Sequence, residues 1–151
     1  MAEDQKPDFV LSTYINASPQ AVWDALTKAE HVNRYQFLGG SMIPEAEQPG
    51  RLDLLYPDGA PMLGMKIMVE EPNRLLECSF EPRWPGRDGD VPKSRCRYEI
   101  EEVAGTCKLT ILHFGLTPEL DGVADGWAKT LASLNSYLET GEGMRFPLNA
   151  A

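Results

Sequence analysis

The chain has 151 residues, a length that one domain fills, and a formal net charge of −9 from 23 acidic and 14 basic side chains. That balance excludes a nucleic-acid or anionic-membrane partner, because binding phosphates needs a basic footprint. No apolar run approaches a membrane span, and the N-terminal MAEDQKPD is charged where a secretory leader is apolar, so a cytoplasmic protein is expected.

The first predicted element is a strand over Phe9 to Ile15. Ser18-Pro19 then offers an N-cap and a first-turn proline, opening a helix with Val22, Ala25, Leu26 and Ala29 on one face. A second short helix is expected around Glu30 to Gln36, stopped near Gly39-Gly40. No repeat, low-complexity tract or linker divides the chain. Residues 1–151 therefore read as one domain, with flexible tails at 1–7 and 144–151.

From Gly50 to Gly115 the pattern turns strand-like, punctuated by turn chemistry. Pro57-Asp58-Gly59 marks a first hairpin. A four-residue turn centred on Pro72-Asn73 marks a second, placing Val69 opposite Leu76, Ile67 opposite Cys78 and Met65 opposite Phe80 on an apolar face. The other face receives Glu70 with Leu75, Met68 with Glu77 and Lys66 with Ser79. Of Met62, Met65 and Met68, only Met65 points inward in this register.

A two-residue turn at Ala104-Gly105 makes the third hairpin. It pairs Glu101 with Lys108 and Glu99 with Thr110 on the solvent face. Ile100 with Leu109, Tyr98 with Ile111 and Cys96 with His113 share the inner face, and a one-residue slip would exchange the two sets. Cys78, Cys96 and Cys107 are odd in number and sit in apolar runs, which suits reduced, buried thiols.

Leu120 to Gly143 forms the last predicted element, a long one-faced helix. Leu120, Val123, Trp127, Leu131, Leu134 and Leu138 share its apolar stripe, with Asp121, Lys129, Ser136 and Glu139 pointing elsewhere. The apolar face of the hairpins is too large for two short helices to cover. This helix supplies the missing cover.

The order of strand, two helices, strand meander and long helix resembles the START-related SRPBCC superfamily. More narrowly, it resembles the family named for activators of the heat-shock protein 90 ATPase. The resemblance runs from Phe9 to Gly141 and rests on the stretch Ala17 to Thr27, Asp58-Gly59 with Gly64, and Pro72-Asn73-Arg74-Leu75. It continues through Thr106 to Thr110 and Gly126-Trp127 followed by Leu131, Leu134, Tyr137 and Leu138. Members often carry a tryptophan near the end of the second helix, where this chain has Tyr35 and Phe37. Eukaryotic co-chaperones of the family also bring a separate chaperone-binding domain, which these residues are not expected to encode. The resemblance implies an α+β helix-grip fold, in which a curved antiparallel sheet wraps around the C-terminal helix. It also implies a cavity of the kind in which relatives bind lipids, hormones or polyketides, and in a few cases catalyse cyclisations.

The candidate ligand-binding residues are Met65, Ile67, Phe80, Tyr98, Ile111, His113, Trp127 and Leu131. His113 either orients a ligand carbonyl or acts as an acid or base, or else is a structural histidine bonded to a neighbouring backbone group. Trp127 either stacks on a ligand or anchors helix to sheet, and a wall residue does both. Glu102 shares the strand face of His113 but lies far along the hairpin, so no catalytic dyad is expected. With only His31 and His113 and no close cysteine pair, neither a metal site nor a cofactor is expected. The proline- and glycine-rich Glu81 to Lys93 segment is either a lid plugged by Trp84 or an ordinary connection.

The expected function is binding of a hydrophobic or amphipathic small molecule. The alternative is a protein-interaction module, a chaperone accessory or stress-associated partner working through the outer sheet face or the Glu81–Lys93 segment. A homodimer through the outer sheet face is a candidate assembly.

Overall fold

The computed structural model describes residues 6–83, 94–116 and 122–146. The chain runs β1 (Phe9–Ile15), α1 (Pro19–Thr27), α2 (Ala29–Tyr35), β2 (Ser41–Met42), β3 (Leu54–Leu55) and β4 (Pro61–Gly64). It continues through β5 (Ile67–Glu71), β6 (Leu75–Pro82), β7 (Ser94–Val103), β8 (Thr106–Phe114) and α3 (Val123–Thr140). The strands form one curled antiparallel sheet in the order β1-β8-β7-β6-β4-β3-β2, with β5 also pairing β6. Helix α3 lies in the grip of that sheet, which is the expected α+β helix-grip architecture. Strand β2 was not foreseen; two residues carry no periodicity to read.

Strand β1 occupies the expected residues and alternates, with Val10, Ser12 and Tyr14 exposed and Ile15 buried. Ser18 caps α1 by accepting a 3.1 Å hydrogen bond from the Ala21 N–H, and Pro19 takes the first helical position. Lys28 ends α1, donating its N–H to Asp24, and at the same time starts α2. That shared extended residue turns the chain so that Val22, Leu26, Val32 and Tyr35 all face the sheet.

The β7–β8 hairpin has the register expected from its sequence, including Ile100↔Leu109, Tyr98↔Ile111 and Cys96↔His113. Ala104 (φ 51°) and Gly105 (φ 83°) both take the left-handed conformation, as a two-residue turn matching strand twist requires.

The β5–β6 hairpin departs in part. Its turn absorbs three residues, Pro72 to Arg74, with Asn73 at φ 66°, so Glu71 faces Leu75 and Val69 faces Glu77 rather than Leu76. An irregularity at Met68 returns the extra residue, and Ile67↔Cys78 and Gly64↔Glu81 keep the expected register on either side of Met65 and Phe80. Val69, expected inward, is therefore 37% exposed beside Met68 at 53%. The break between β4 and β5 also resets the alternation, so Met62 is buried together with Met65.

On the outer face of β6 and β7, Glu77 is buried beneath Arg97, whose Nε donates to it at 2.9 Å. Cys78, Cys96 and Cys107 are buried free thiols. Burial pushes the Cys78 thiol up to about 12 and that of Cys96 well above its ordinary value, so both stay protonated.

Helix α3 buries Val123, Trp127, Leu131 and Leu134 at the expected spacing; Leu120 and Asp121 lie outside the described residues. Gly141 (φ 91°) stops it with a left-handed cap donating to the Tyr137 carbonyl. The chain then folds back. The Ser133 hydroxyl donates to the Tyr35 carbonyl at 2.5 Å and accepts the Met144 N–H at 2.7 Å, while the Phe146 N–H reaches the Phe37 carbonyl at 2.7 Å. Gly143 lets this happen, since a Cβ there would sit 2.6 Å from the Tyr35 Cα. Residues 144–146, expected as the start of a tail, thus form a strap across α2 and α3. Among the described residues no helix is long and apolar enough to cross a membrane.

Candidate functional site

A cavity of about 840 Å3 opens between α2, the β2–β4 corner of the sheet and the first half of α3. Its volume falls within the roughly 300–1,000 Å3 usual for small-molecule sites. Leu26, Val32 and Tyr35 come from the two short helices, Met42, Leu54, Met62 and Leu63 from the short strands, and Met65 from the break between β4 and β5. Phe80 and Tyr98 reach in from β6 and β7, and Val123 and Trp127 hang from α3. The strap contributes Arg145 and Phe146, with Phe146 edge-on to Phe37 at 6.2 Å.

Trp127 divides the interior in two. Its ring, 6% exposed, meets Tyr98 edge-on at 5.8 Å and Phe80 at 6.0 Å on the cavity side. Behind it stands His113, fully buried, whose ring lies 4.6 Å from Phe80. An indole N–H only donates, so the 3.0 Å bond from Trp127 Nε1 makes His113 Nδ1 the acceptor and leaves the imidazole proton on Nε2. That proton faces the Ser94 hydroxyl at 3.2 Å, and Ser94 in turn reaches the Phe80 carbonyl at 3.3 Å. Burial lowers the His113 pKa to about 4 against an opposing pull from Asp8, which keeps the ring neutral. The arrangement is a brace for the indole. It relies on side chains rather than on the neighbouring backbone group considered from the sequence.

Of the eight sequence-predicted site residues, Met65, Phe80, Tyr98 and Trp127 share the cavity wall. Ile67, Ile111, His113 and Leu131 do not. Ile111, His113 and Leu131 are buried in the other half, where α3 sits directly on the sheet, and Ile67 is only partly buried at the edge of the core. The hollow is displaced toward the short strands because those strands leave the first turns of α3 uncovered. Glu102 pairs with Cys107 at the far end of the hairpin, away from His113. Trp84 and the rest of the suspected lid up to Lys93 lie outside the described residues.

Polar groups in the wall are few. Gln36, 7% exposed, uses its Oε1 to accept the N–H groups of Leu38 at 2.8 Å and Gly40 at 2.9 Å. Burial raises the Tyr98 hydroxyl well above its ordinary pKa, so it remains a neutral donor. The charged wall residues, Asp125, Lys129 and Arg145, come from the partly open first turns of α3 and from the strap. Among the described residues no group of three or more His, Cys, Asp or Glu side chains could hold a metal ion.

Sequence reasoning missed the walls contributed by α2, by the short strands β2 to β4 and by the strap. The signal was present in Gln36, a lone polar residue inside the run Tyr35-Gln36-Phe37-Leu38. Arg145 and Phe146 offered none, because nothing local shows that the chain returns.

A family model described as Activator of Hsp90 ATPase homolog 1-like protein matches residues 16–139. No curated protein matches the sequence. Among solved structures, protein MLL2253 from Mesorhizobium loti is similar over 87% of this chain and 96% of that one, with a TM-score of 0.70 and 18% identity. The Aha1 dimer from Colwellia psychrerythraea covers 89% of this chain and 98% of its own, with a TM-score of 0.68 and 18% identity. CalU16 from Micromonospora echinospora covers 88% of this chain and 74% of its own, with a TM-score of 0.64 and 21% identity. At such identities these structures speak for the fold.

Proposed function

We propose that this chain, which belongs to the family of Activator of Hsp90 ATPase homolog 1-like proteins, binds a hydrophobic or amphipathic small molecule in the cavity beside Trp127. The observation that carries this reading is the cavity itself, about 840 Å3 walled mainly by apolar side chains. A chain of this size gains stability by filling its interior, at roughly 25 cal/mol for each Å2 of apolar surface removed from water. A hollow of such volume forgoes that gain, which supports a ligand as the missing contents. Met65, Phe80, Tyr98 and Trp127 would touch it directly. His113, Ile111 and Leu131 would hold the wall from behind, and Ile67 from the edge. Native mass spectrometry of the protein from its own host tests the reading: a reproducible mass increment that disappears on denaturation is expected, and a clean apo mass would count against it.

A second reading, a protein-interaction module of the kind the family name describes, is favoured by Met68 and Val69 standing exposed side by side on β5. An ATPase assay of purified heat-shock protein 90 decides it. A rise in rate with the protein that is lost in Met68→Lys would support this reading, and an unchanged rate would remove it. A homodimer, as in the Colwellia structure, is supported by the position of β1 at the sheet edge with Val10 and Tyr14 exposed. Light scattering across concentration tests it.

A further inference from the structure

The cavity is not uniform, and its polarity names a ligand class. Both lone pairs of the Gln36 Oε1 are committed to Leu38 and Gly40, which fixes the amide orientation and turns Nε2 toward the Met62 sulfur at 3.9 Å. A thioether is a weak acceptor. A buried amide with two N–H donors thus faces the hollow with sulfur as its partner among the described residues, and an oxygen atom would serve it far better.

The wall charges point the same way. Lys129 is paired with Asp125 at 3.0 Å and lies 5.6 Å from the Phe146 ring, so its charge is largely answered within the wall. Arg145 is different. Its guanidinium makes only long contacts of 3.3 to 3.5 Å with the carbonyls of Met144 and Arg34, and among the described residues no carboxylate lies within 4.0 Å. Among the described residues, therefore, the exposed guanidinium of Arg145 stands at the cavity wall without a carboxylate partner, in a chain of net charge −9.

We infer that the ligand is an amphipathic carboxylate, its apolar body against Met65, Tyr98 and Trp127 and its carboxylate at Arg145, with the Gln36 amide donating to an oxygen. A planar guanidinium fork matches a carboxylate in two parallel hydrogen bonds, which an alcohol cannot accept and an amine would oppose. This rests on the small-molecule reading above and goes beyond it by assigning the head group and the residue that selects it.

Three probes of equal chain length, decanoate, 1-decanol and decylammonium, separate the two levels. Each is titrated calorimetrically and by displacement of Nile red, a neutral dye. Decanoate is expected to bind about tenfold more tightly than decanol, with decylammonium weakest. Arg145→Gln, an exposed substitution, should remove most of that preference and leave decanol unchanged, whereas Lys108→Gln, on β8 and off the cavity wall, should alter it little. Equal binding of decanoate and decanol, or a preference that survives Arg145→Gln, overturns the head-group assignment and leaves the cavity reading standing. Failure of all three probes and of Nile red to bind overturns both.

Discussion

The indole Nε1 of Trp127 donates a 3.0 Å hydrogen bond to Nδ1 of His113, joining the helix that closes the cavity to the strand behind it. Both groups are buried, so neither has water to fall back on. Trp127→Phe leaves Nδ1 without a donor, at a cost of about 1–3 kcal/mol, in addition to the lost indole contacts. Urea denaturation should show Trp127→Phe destabilised by about 2–4 kcal/mol with an unchanged m-value. A cycle with His113→Leu should give a coupling of about 1 kcal/mol or more. A coupling of zero would reduce the pair to simple packing.

Burial of the same histidine makes stability depend on pH. His113 titrates at about 4 in the folded protein against an ordinary 6.5, because burial disfavours the charged ring. Between those values the unfolded chain binds a proton that the native chain does not, so stability is full above 6.5 and declines as pH falls toward 4. The loss should approach about 3 kcal/mol. Glu81 acts in a lower window: the Ser79 hydroxyl and Arg51 depress its pKa, and its contribution is present above the ordinary value of 4.5 and fades as pH falls through the depressed one. Urea midpoints taken across the range should therefore fall in two stages, and His113→Gln should flatten only the upper one.

Much of the fold is legible in the sequence. The β7–β8 hairpin was legible because Ala104-Gly105 sits between two strictly alternating strands, where a slip would bury Glu99 and Glu101. The β5–β6 hairpin was half legible: Pro72-Asn73 announces a turn, but nothing local says that Arg74 joins it and that Met68 returns the residue. The site was legible only where it coincided with the apolar faces of strand and helix, at Met65, Phe80, Tyr98 and Trp127. Which half of the interior stays hollow depends on how short β2 to β4 are and on the strap returning over α2. Both are tertiary outcomes of segments with no periodicity.

Ala104 carries a strain that can be relieved. It holds φ 51°, a left-handed conformation in which an L side chain costs about 1–2 kcal/mol and which asparagine tolerates better. Ala104→Asn gives the Asn-Gly pair favoured in such turns. It should stabilise the protein by about 0.5–1 kcal/mol, seen as a higher urea midpoint with no change in ligand or dye binding.

One substitution placed in the two halves of the interior distinguishes a hollow from a packed core. Val32 lies on the cavity wall, and phenylalanine there has room to extend into empty space. Ile111 is fully buried behind Trp127 and off the wall, so phenylalanine there must displace its neighbours. Overpacking of that kind costs about 1–3 kcal/mol, whereas filling a void costs little and recovers contacts. Val32→Phe should therefore leave stability unchanged or slightly raised while weakening Nile red binding about tenfold, because it removes the volume the dye needs. Ile111→Phe should do the reverse, lowering the urea midpoint with a smaller effect on the dye. Equal destabilisation by both would mean that the space beside Val32 closes in solution, and the ligand-binding reading would lose the observation it stands on.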